Sequence, residues 1–380
     1  MTPLAGIRVL DLSRVLAGPY ATALLADLGA EVIKLEPPAG DDYRHVGPFR
    51  DAESALFTLN NRGKRSIVLD LKDPAHLAVA QAIAARVDVV VENFRPGVAA
   101  RLGLGAETLR AVNPGLIYCS ISGFGQAGPF ADLPAYDVVV QAMSGLMAAT
   151  GEQGGAPLKT GESMADLIAG LFGSWAIMAA LVQRGRTGQG ATLDVAMYDA
   201  LFSMLTTSHA LHLYGGVLPE RVGNRHPLST PFGCFATADG QVVICVLNDR
   251  QWAKLCAVIG ADASDARYAS DSLRTTHEPE VKSMIEAWSR RIPTAQAVAA
   301  LTAAGLPTAP IQTIAQAADS AHAQARGLVT DLPHGRLGTA PVVGQPVRFD
   351  GEKPVAAQGA PGLGADLAAV LAEFGLEDVR

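Results

Sequence analysis

Residues 6–36 read GIRVLDLSRVLAGPYATALLADLGAEVIKLE, and this stretch indicates the fold. The apolar run at 6–12 is typical of a buried strand, while Pro19 suits the first turn of a helix that ends at Gly29. The segment 31–36 has the pattern of a second strand. A strand–helix–strand unit of this kind is the building block of a parallel sheet.

The same alternation continues along the chain. Further strands are predicted at 65–72, 88–94 and 116–122, with helical segments between them. We therefore predict an α/β fold with an open parallel sheet. Ligands of such sheets bind beyond the carboxyl ends of the strands, so the site is expected in the loops that follow them. These loops are 13–18, 93–97 and 122–134.

A length of 380 residues suits two domains. The sequence FGCFATADGQVVICVLND, beginning at Phe232, predicts a β-hairpin that turns at Asp239-Gly240, and helices follow it, as in a small α+β domain. From about residue 308 the sequence is loop-like. The predicted divisions are the first part of a large domain at 1–200, a linker and active-site loop at 201–231, the small domain at 232–310, and a return to the large domain at 311–380.

Composition excludes several classes of function. The formal net charge is −7 and no basic face is visible, which argues against a nucleic-acid partner. The four cysteines form no CxxC pair and the histidines do not cluster, so no metal site is predicted. The amino terminus lacks the pattern of a signal peptide, and we expect a cytoplasmic protein.

The segment 165–182 is almost entirely apolar and predicts a buried helix after a glycine-rich loop. Its length is near that of a membrane span, but Gln183 and the polar sequence on both sides argue against one. One charge, Asp166, lies at the start of this helix. It is either a helix cap, the commoner role, or a carboxylate nucleophile at the positive end of the helix dipole.

The motif GFGQAG at 123–128 follows a strand, as in enzymes that bind a nicotinamide dinucleotide. In such enzymes the motif opens a helix. Pro129 comes next and Pro134 soon after, so no helix begins there on time. We interpret the motif as a loop that lets backbone approach a ligand or the apolar helix, and a nicotinamide-dependent oxidoreductase remains the less favoured alternative.

Several cations are predicted near the same edge of the sheet, which favours a phosphorylated ligand in an otherwise acidic protein. They are Lys64, Arg65, Lys72, Arg95 and Arg101. Phe94 either stacks on a purine or faces the core. His226, in a flexible loop, is either structural or catalytic.

Seven stretches along the chain together carry a resemblance to a known family: GIRVLDLSRVLAGPYATALLADLGAEVIKLEPP, NRGKRSIVLDLK, DVVVENFRPGVAARLGLG, SISGFGQAGP, AYDVVVQAMSG, GESMADLIAGLFG and GNRHPLSTPFGCFATADG. They make the chain similar to the class III CoA-transferase family, which includes formyl-CoA transferases and the 2-methylacyl-CoA racemases. The resemblance implies an interlocked homodimer, with a Rossmann-like large domain built from both ends of the chain and a smaller inserted α+β domain.

The resemblance implies that Asp166 is the catalytic nucleophile. It also implies which positions hold coenzyme A, a substrate here rather than a resident cofactor. These positions are Leu16, Ala17, Leu69, Asp70, Leu71, Lys72, Asn93, Phe94, Arg95, Arg101 and Asp137. Some relatives have an arginine where this chain has Pro37, and we expect Arg44 or Arg65 to replace that contact.

The residue type at position 136 distinguishes two activities within the family that the chain resembles. Racemases carry a histidine base at this position, and tyrosine is a poor base because its unperturbed pKa is about 10. Tyr136 is instead expected to donate a hydrogen bond to a thioester or anhydride oxygen. We therefore predict a CoA-transferase that passes CoA from an acyl-CoA to a small carboxylic acid through aspartyl intermediates, with a racemase as the alternative. Arg44, Arg225 and His226 are candidates for binding a dicarboxylic acid.

Overall fold

The computed structural model describes residues 2–377 of the chain. The strands are β1 Arg8–Asp11, β2 Glu31–Glu36, β3 Phe49–Arg50, β4 Glu53–Ser54, β5 Lys64–Val68, β6 Val89–Glu92, β7 Ile117–Ser122, β8 Thr192–Ala196, β9 Phe232–Ala236, β10 Gln241–Cys245, β11 Thr308–Pro310, β12 Val329–His334 and β13 Gly338–Val343.

The α-helices are α1 Ala17–Asp27, α2 Ala55–Asn60, α3 Pro74–Ala84, α4 Val98–Arg101, α5 Ala106–Val112, α6 Asp137–Met143, α7 Leu146–Ala149, α8 Met164–Thr187, α9 Met197–Ser203, α10 Thr206–His209, α11 Asp249–Ile259, α12 Asp271–Thr276, α13 Glu278–Ser289, α14 Thr294–Ala303, α15 Ile314–Ala318, α16 Ala321–Arg326 and α17 Leu367–Glu373. Shorter helical turns lie at Asp42–His45, Ala210–Tyr214 and Ala266–Tyr268.

The largest sheet has six strands, all parallel, in the order β5-β2-β1-β6-β7-β8. The chain builds outward from β1 in one direction, then returns and builds outward from β6 in the other. The order therefore reverses between β1 and β6, which makes their carboxyl ends a topological switch point. The predicted α/β fold with a parallel sheet is confirmed.

Alternate residues of the strands feed two separate cores. Val9 packs in the cluster that contains residues of α1, α8 and α9. Its neighbour Leu10 packs in the cluster that contains residues of α3 and α17. Because successive side chains point to opposite faces of a strand, this division shows that both faces of the sheet are covered by helices.

The chain forms two compact units. The large unit comprises Met1–Leu146, Lys159–Thr206 and Ala321–Arg380, and the small unit comprises Met147–Leu158 and Thr207–Ser320. Most of the segment expected to be a linker thus groups with the small unit. Hydrogen bonds explain why Met147–Leu158 does so too, because Arg221 donates to the carbonyls of Ala148 and Gly155 at 3.1 and 3.0 Å.

The small unit is built on an antiparallel sheet of three strands in the order β11-β10-β9. The predicted hairpin is present, since β9 pairs with β10 across the turn at Asp239-Gly240. Trp252 of α11 and Ile285 of α13 are buried in the core of this unit with residues of the sheet.

The chain after residue 308 is more regular than expected. Strands β12 and β13 form a hairpin in which Pro333 faces Thr339 and Asp331 faces Pro341. Proline interrupts a central strand because it cannot donate a ladder hydrogen bond, but in a sheet of two strands both strands are edges. Farther on, α17 packs beside β5, where Glu373 pairs with Arg65.

Helix α8 is long and apolar enough, by length and composition, to cross a membrane. In its most apolar window 39% of the residues are buried in the chain. Its buried face packs against α1, α9 and β7 of the large unit. The helix predicted to be buried is therefore buried on one face only in the single chain.

Candidate functional site

The loops after β1 and β6 meet at the switch point of the sheet. The backbone N–H of Arg14 donates to Asn93 Oδ1 at 2.9 Å, and Asn93 Nδ2 donates to the carbonyl of Arg14 at 2.7 Å. Asn93 was expected to hold the nucleotide part of CoA. Both functional groups of its side chain instead bind the other loop, so its amide shapes the crevice.

Helix α1 begins at this crevice and is packed closely against α8. The side chains of Leu16 and Ala17 are buried, at 8% and 3% exposure, so this part of the loop offers backbone rather than side chains. A Cβ on Gly170 would lie 2.6 Å from the carbonyl oxygen of Ala17. Glycine at this position therefore permits the two helices to approach, one helical turn after Asp166.

The amino end of α8 is capped by a residue distant in the sequence. Ser163, the N-cap residue, makes no side-chain cap hydrogen bond. Asp137 Oδ1 instead accepts from the backbone N–H of Ala165 at 2.7 Å and of Asp166 at 3.4 Å, while Asp137 Oδ2 accepts from Gln141 Nε2 at 2.6 Å. These bonds and its burial argue against the expectation that Asp137 holds CoA; its carboxylate caps the helix.

Asp137 caps the helix, so the side chain of Asp166 does not have the capping role that its position suggested. Within residues 2–377, no cation pairs with Asp166 and no hydrogen bond to its carboxylate is present. Burial, reinforced by the negative charge of Asp137, raises the pKa of Asp166 to about 7. A carboxylate with a raised pKa is a stronger nucleophile, and such shifts are concentrated at functional sites.

Tyr136 is linked to Asp166 through its chain neighbour Asp137, and Tyr43 through an electrostatic effect. Tyr136 directly precedes Asp137 at the start of α6, and 77% of its surface is exposed. Tyr43, in the turn after β2, was not singled out from the sequence. Burial raises the pKa of Tyr43, and the negative charge of Asp166 adds to this shift, which places the phenol within the electrostatic reach of the carboxylate. No sequence pattern signals this approach, since the two residues are far apart in the chain.

The segment after β5 contains four of the residues expected to hold CoA, and its two leucines pack toward the core. Leu69 is 3% exposed, and Leu71 packs at the edge of the core. Asp70 Oδ1 accepts from the backbone N–H of Lys72 at 3.0 Å. Phe94, after β6, also packs against this core, which favours its core-facing interpretation.

Three of the predicted cations remain available to a ligand. Lys72, Arg95 and Arg101 are exposed, and none forms an ion pair with another residue in the described range 2–377. They follow the carboxyl ends of β5 and β6, the edge where ligands of this sheet type bind.

The remaining cations are structural. Lys64 is fully buried and pairs with Asp11 at 2.9 Å. Arg65 pairs with Glu373. Arg44 donates to Glu36 at 2.7 Å and stacks on the ring of Phe57, with its guanidinium carbon 3.6 Å from the ring centre. These pairings argue against the expectation that Arg44 or Arg65 replaces the contact at Pro37.

The glycine motif at 123–128 is a loop, and the next helix begins only at Asp137. The N–H of Gln126 donates to Asp194 Oδ2 at 3.0 Å, which fixes this loop to β8. A dinucleotide fingerprint requires a helix to start within the motif. The geometry therefore gives no support to a nicotinamide site there.

In the small unit, the loop that carries His226 is pinned by backbone bonds. The N–H of His226 donates to Phe232 O at 2.8 Å, and that of Cys234 donates to Asn224 O at 3.0 Å. Arg225 lines a cavity of about 220 Å³ that lies wholly within this unit. The His226 ring packs against the Phe232 ring, with centres 5.2 Å apart.

Comparison with known proteins agrees with the geometry. The sequence profile of CoA-transferase family III matches residues 4–367. The chain is 42% identical to a succinate–glutarate CoA-transferase of Agrobacterium fabrum, over 98% of this chain and 96% of that protein. It is also 42% identical to an acetyl-CoA:oxalate CoA-transferase of Acetobacter aceti, over 100% and 97%.

A solved structure matches as well. The crystal structure of a CaiB/BaiF family protein from Brucella suis superposes with a TM-score of 0.88 at 37% identity, covering 98% of this chain and 99% of that one. The match extends through both compact units. We conclude that the chain is an enzyme that belongs to CoA-transferase family III.

Proposed function

We propose that this enzyme moves CoA from an acyl-CoA thioester to a dicarboxylic acid, with Asp166 as the covalent nucleophile. The observation that carries the proposal is the state of Asp166. It lies at a helix start capped by another residue, is partly buried, has no cation partner among residues 2–377, and has a pKa raised to about 7 by burial and by Asp137.

The chemistry follows from the need to keep the acyl group activated without ATP. The carboxylate of Asp166 attacks the thioester carbonyl of the donor, giving a mixed anhydride and CoA thiolate. The thiolate attacks the aspartyl carbonyl, which forms an aspartyl-CoA thioester and releases the donor acid. The acceptor carboxylate attacks the carbonyl of this thioester, expels CoA thiolate and forms a second anhydride. The thiolate then attacks the acceptor's acyl carbon and frees Asp166.

Each attack places negative charge on a carbonyl oxygen, which needs hydrogen-bond donors. The phenols of Tyr136 and Tyr43 and the backbone N–H groups of the glycine-rich loops are the donors we assign to this task. Lys72, Arg95 and Arg101 are assigned to the phosphates of CoA, since all three are exposed and without ion-pair partners in the described range.

The acceptor class rests on the relatives. The two named above act on succinate and glutarate or on oxalate, all of which are dicarboxylic acids. We infer that this enzyme also takes a dicarboxylic acid as donor or acceptor acid.

We also infer a cytoplasmic homodimer. Leu171, Trp175 and Val182 of α8 are 53%, 62% and 59% exposed in the single chain and recur at helical spacing. A second copy covering this face would remove their apolar surface from water. Light scattering of the purified protein should give twice the mass of 39.4 kDa, and Trp175→Glu should lower it.

The test of the proposed function is a transfer assay with succinyl-CoA and a panel of free dicarboxylic acids. Asp166→Asn should lose at least about 1000-fold in kcat. The matched control is Glu162→Gln, which neutralises an exposed carboxylate four residues earlier. Transfer by Asp166→Asn at near the wild-type rate contradicts the proposal. Exchange of the substrate's α-hydrogen into deuterated solvent, without CoA transfer, would favour the racemase alternative.

A further inference from the structure

We propose that Lys34, Asp41 and Asn93 are positioning residues that hold the loop 13–15 in the one backbone conformation able to receive the acyl-CoA. They act through the backbone of the loop, without contacting the reacting atoms. The inference rests on the proposed CoA transfer, because the loop leads into the start of α1 at the switch point.

The loop has a conformation that it would not adopt unaided. Val15 has a φ of 70°, in the left-handed region. For a β-branched residue this region is a true outlier, because its side chain crowds the backbone. Such strain persists only where surrounding structure imposes it, and it is concentrated at functional sites.

A buried ion pair provides the first restraint. Lys34 Nζ lies 2.7 Å from Asp41 Oδ2, and both side chains are completely shielded from solvent. The same ammonium donates to the carbonyl of Ser13 at 2.9 Å. Asp41 Oδ1 accepts from the N–H of Val15 at 3.1 Å. The pair therefore holds the loop immediately before and at its strained residue.

Asn93 provides the second restraint, from the other side of the switch point. Its amide both accepts from Arg14 N–H and donates to Arg14 O, the only residue between Ser13 and Val15. Backbone groups of all three loop residues are thus bound by side chains from β2, from the turn after β2 and from the loop after β6.

The restrained loop is coupled to the nucleophile by packing. It continues into Leu16 and Ala17, and the carbonyl of Ala17 lies against Gly170 of α8. Gly170 follows Asp166 by one helical turn. A loop that relaxes would have to be ordered again when acyl-CoA binds, and the cost of that ordering weakens the binding of acyl-CoA.

The first test compares two asparagines with the same structural duty. Asn113 also bridges two backbone groups, donating to Val87 O at 3.1 Å and accepting from Gly115 N–H at 3.2 Å, but it lies away from the loop. Asn93→Ala and Asn113→Ala should lower the melting temperature to a similar extent. Only Asn93→Ala should raise the KM for acyl-CoA, by about 10- to 100-fold, with kcat and the KM for the free acid little changed.

A second comparison probes the ion pair. Lys34→Met removes the ammonium, and its matched control is Arg62→Met, which removes the cation from the buried pair with Asp27 at 2.6 Å. The expected result is a raised KM for acyl-CoA in Lys34→Met alone. If Lys34→Met does not fold, the asparagine comparison decides.

The two possible failures are distinguishable. If wild-type protein neither binds CoA by calorimetry nor transfers it, the proposed function is wrong. If wild-type protein transfers CoA while Asn93→Ala and Asn113→Ala share one KM for acyl-CoA, only the positioning inference is overturned.

Discussion

Asp11 is fully buried and Asp166 partly buried in the large unit, and the charges around them differ. Asp11 lies beside two buried ammonium groups. Burial alone would raise the pKa of Asp11, but the charges of Lys64 and Lys34 lower this pKa to about 2. Asp166 has another aspartate as its neighbour, and burial with Asp137 raises the pKa of Asp166 to about 7. One side chain serves as a permanent counter-ion and the other as a group that titrates near neutral pH, which is how a fold separates structural from reactive carboxylates.

The largest effect is expected on the structural side of this comparison. Lys64→Met should lower the free energy of unfolding by about 3–5 kcal/mol, because it leaves the buried charge of Asp11 without its partner at 2.9 Å. Chemical denaturation measures the change. The double variant Asp11→Asn with Lys64→Met should recover part of the loss; a double variant as unstable as the sum of both single variants would show that the two charges are not coupled.

The next largest effect is expected where α1 packs against α8. Gly170→Ala should lower the free energy of unfolding by about 1–3 kcal/mol, because the new methyl group would lie 2.6 Å from the carbonyl of Ala17. Gly185→Ala in the same helix is the control, since nothing lies within 4 Å of its added Cβ. That variant should gain up to about 1 kcal/mol from helix propensity. Equal changes in both variants would argue against close packing at Gly170.

Asp166→Asn should stabilise the protein by about 1–2 kcal/mol at pH 8 and have little effect at pH 4. Between the unfolded pKa near 4 and the folded pKa near 7, the native carboxyl holds a proton that the unfolded chain releases, so wild-type stability falls as pH rises. Asparagine does not titrate, so the difference in stability between Asp166→Asn and wild type should grow as pH rises. Melting temperatures at both pH values test this, and a gap that stays constant would contradict the raised pKa.

The smallest effect is a displacement of the pH profile. Asp137→Asn keeps an oxygen that can accept from Ala165 N–H but removes the charge that raises the pKa of Asp166. The rise of kcat/KM with pH, which follows ionisation of Asp166, should move to lower pH. The control is Glu162→Gln, whose profile should match wild type. A rise that stays in place would mean that burial alone sets the pKa.

Local pattern was enough to predict the sheet and to single out Asp166, because strand and helix periodicity and a lone charge at a helix start are visible within a few residues. The role of Asp137 was not predictable in this way, since its carboxylate caps a helix 28 residues farther along the chain. The same holds for Lys64, whose partner Asp11 is 53 residues away. The hairpin of β12 and β13 was missed because proline normally argues against a strand.

The central claim is that Asp166 becomes acylated, and covalent capture tests it most directly. Wild-type protein is incubated with donor acyl-CoA, quenched with hydroxylamine, digested and mapped by mass spectrometry. The account predicts a hydroxamate on Asp166 that depends on the donor and is absent from untreated protein. Continued CoA transfer with Asp166 unmodified, or with the hydroxamate on another residue, would contradict it.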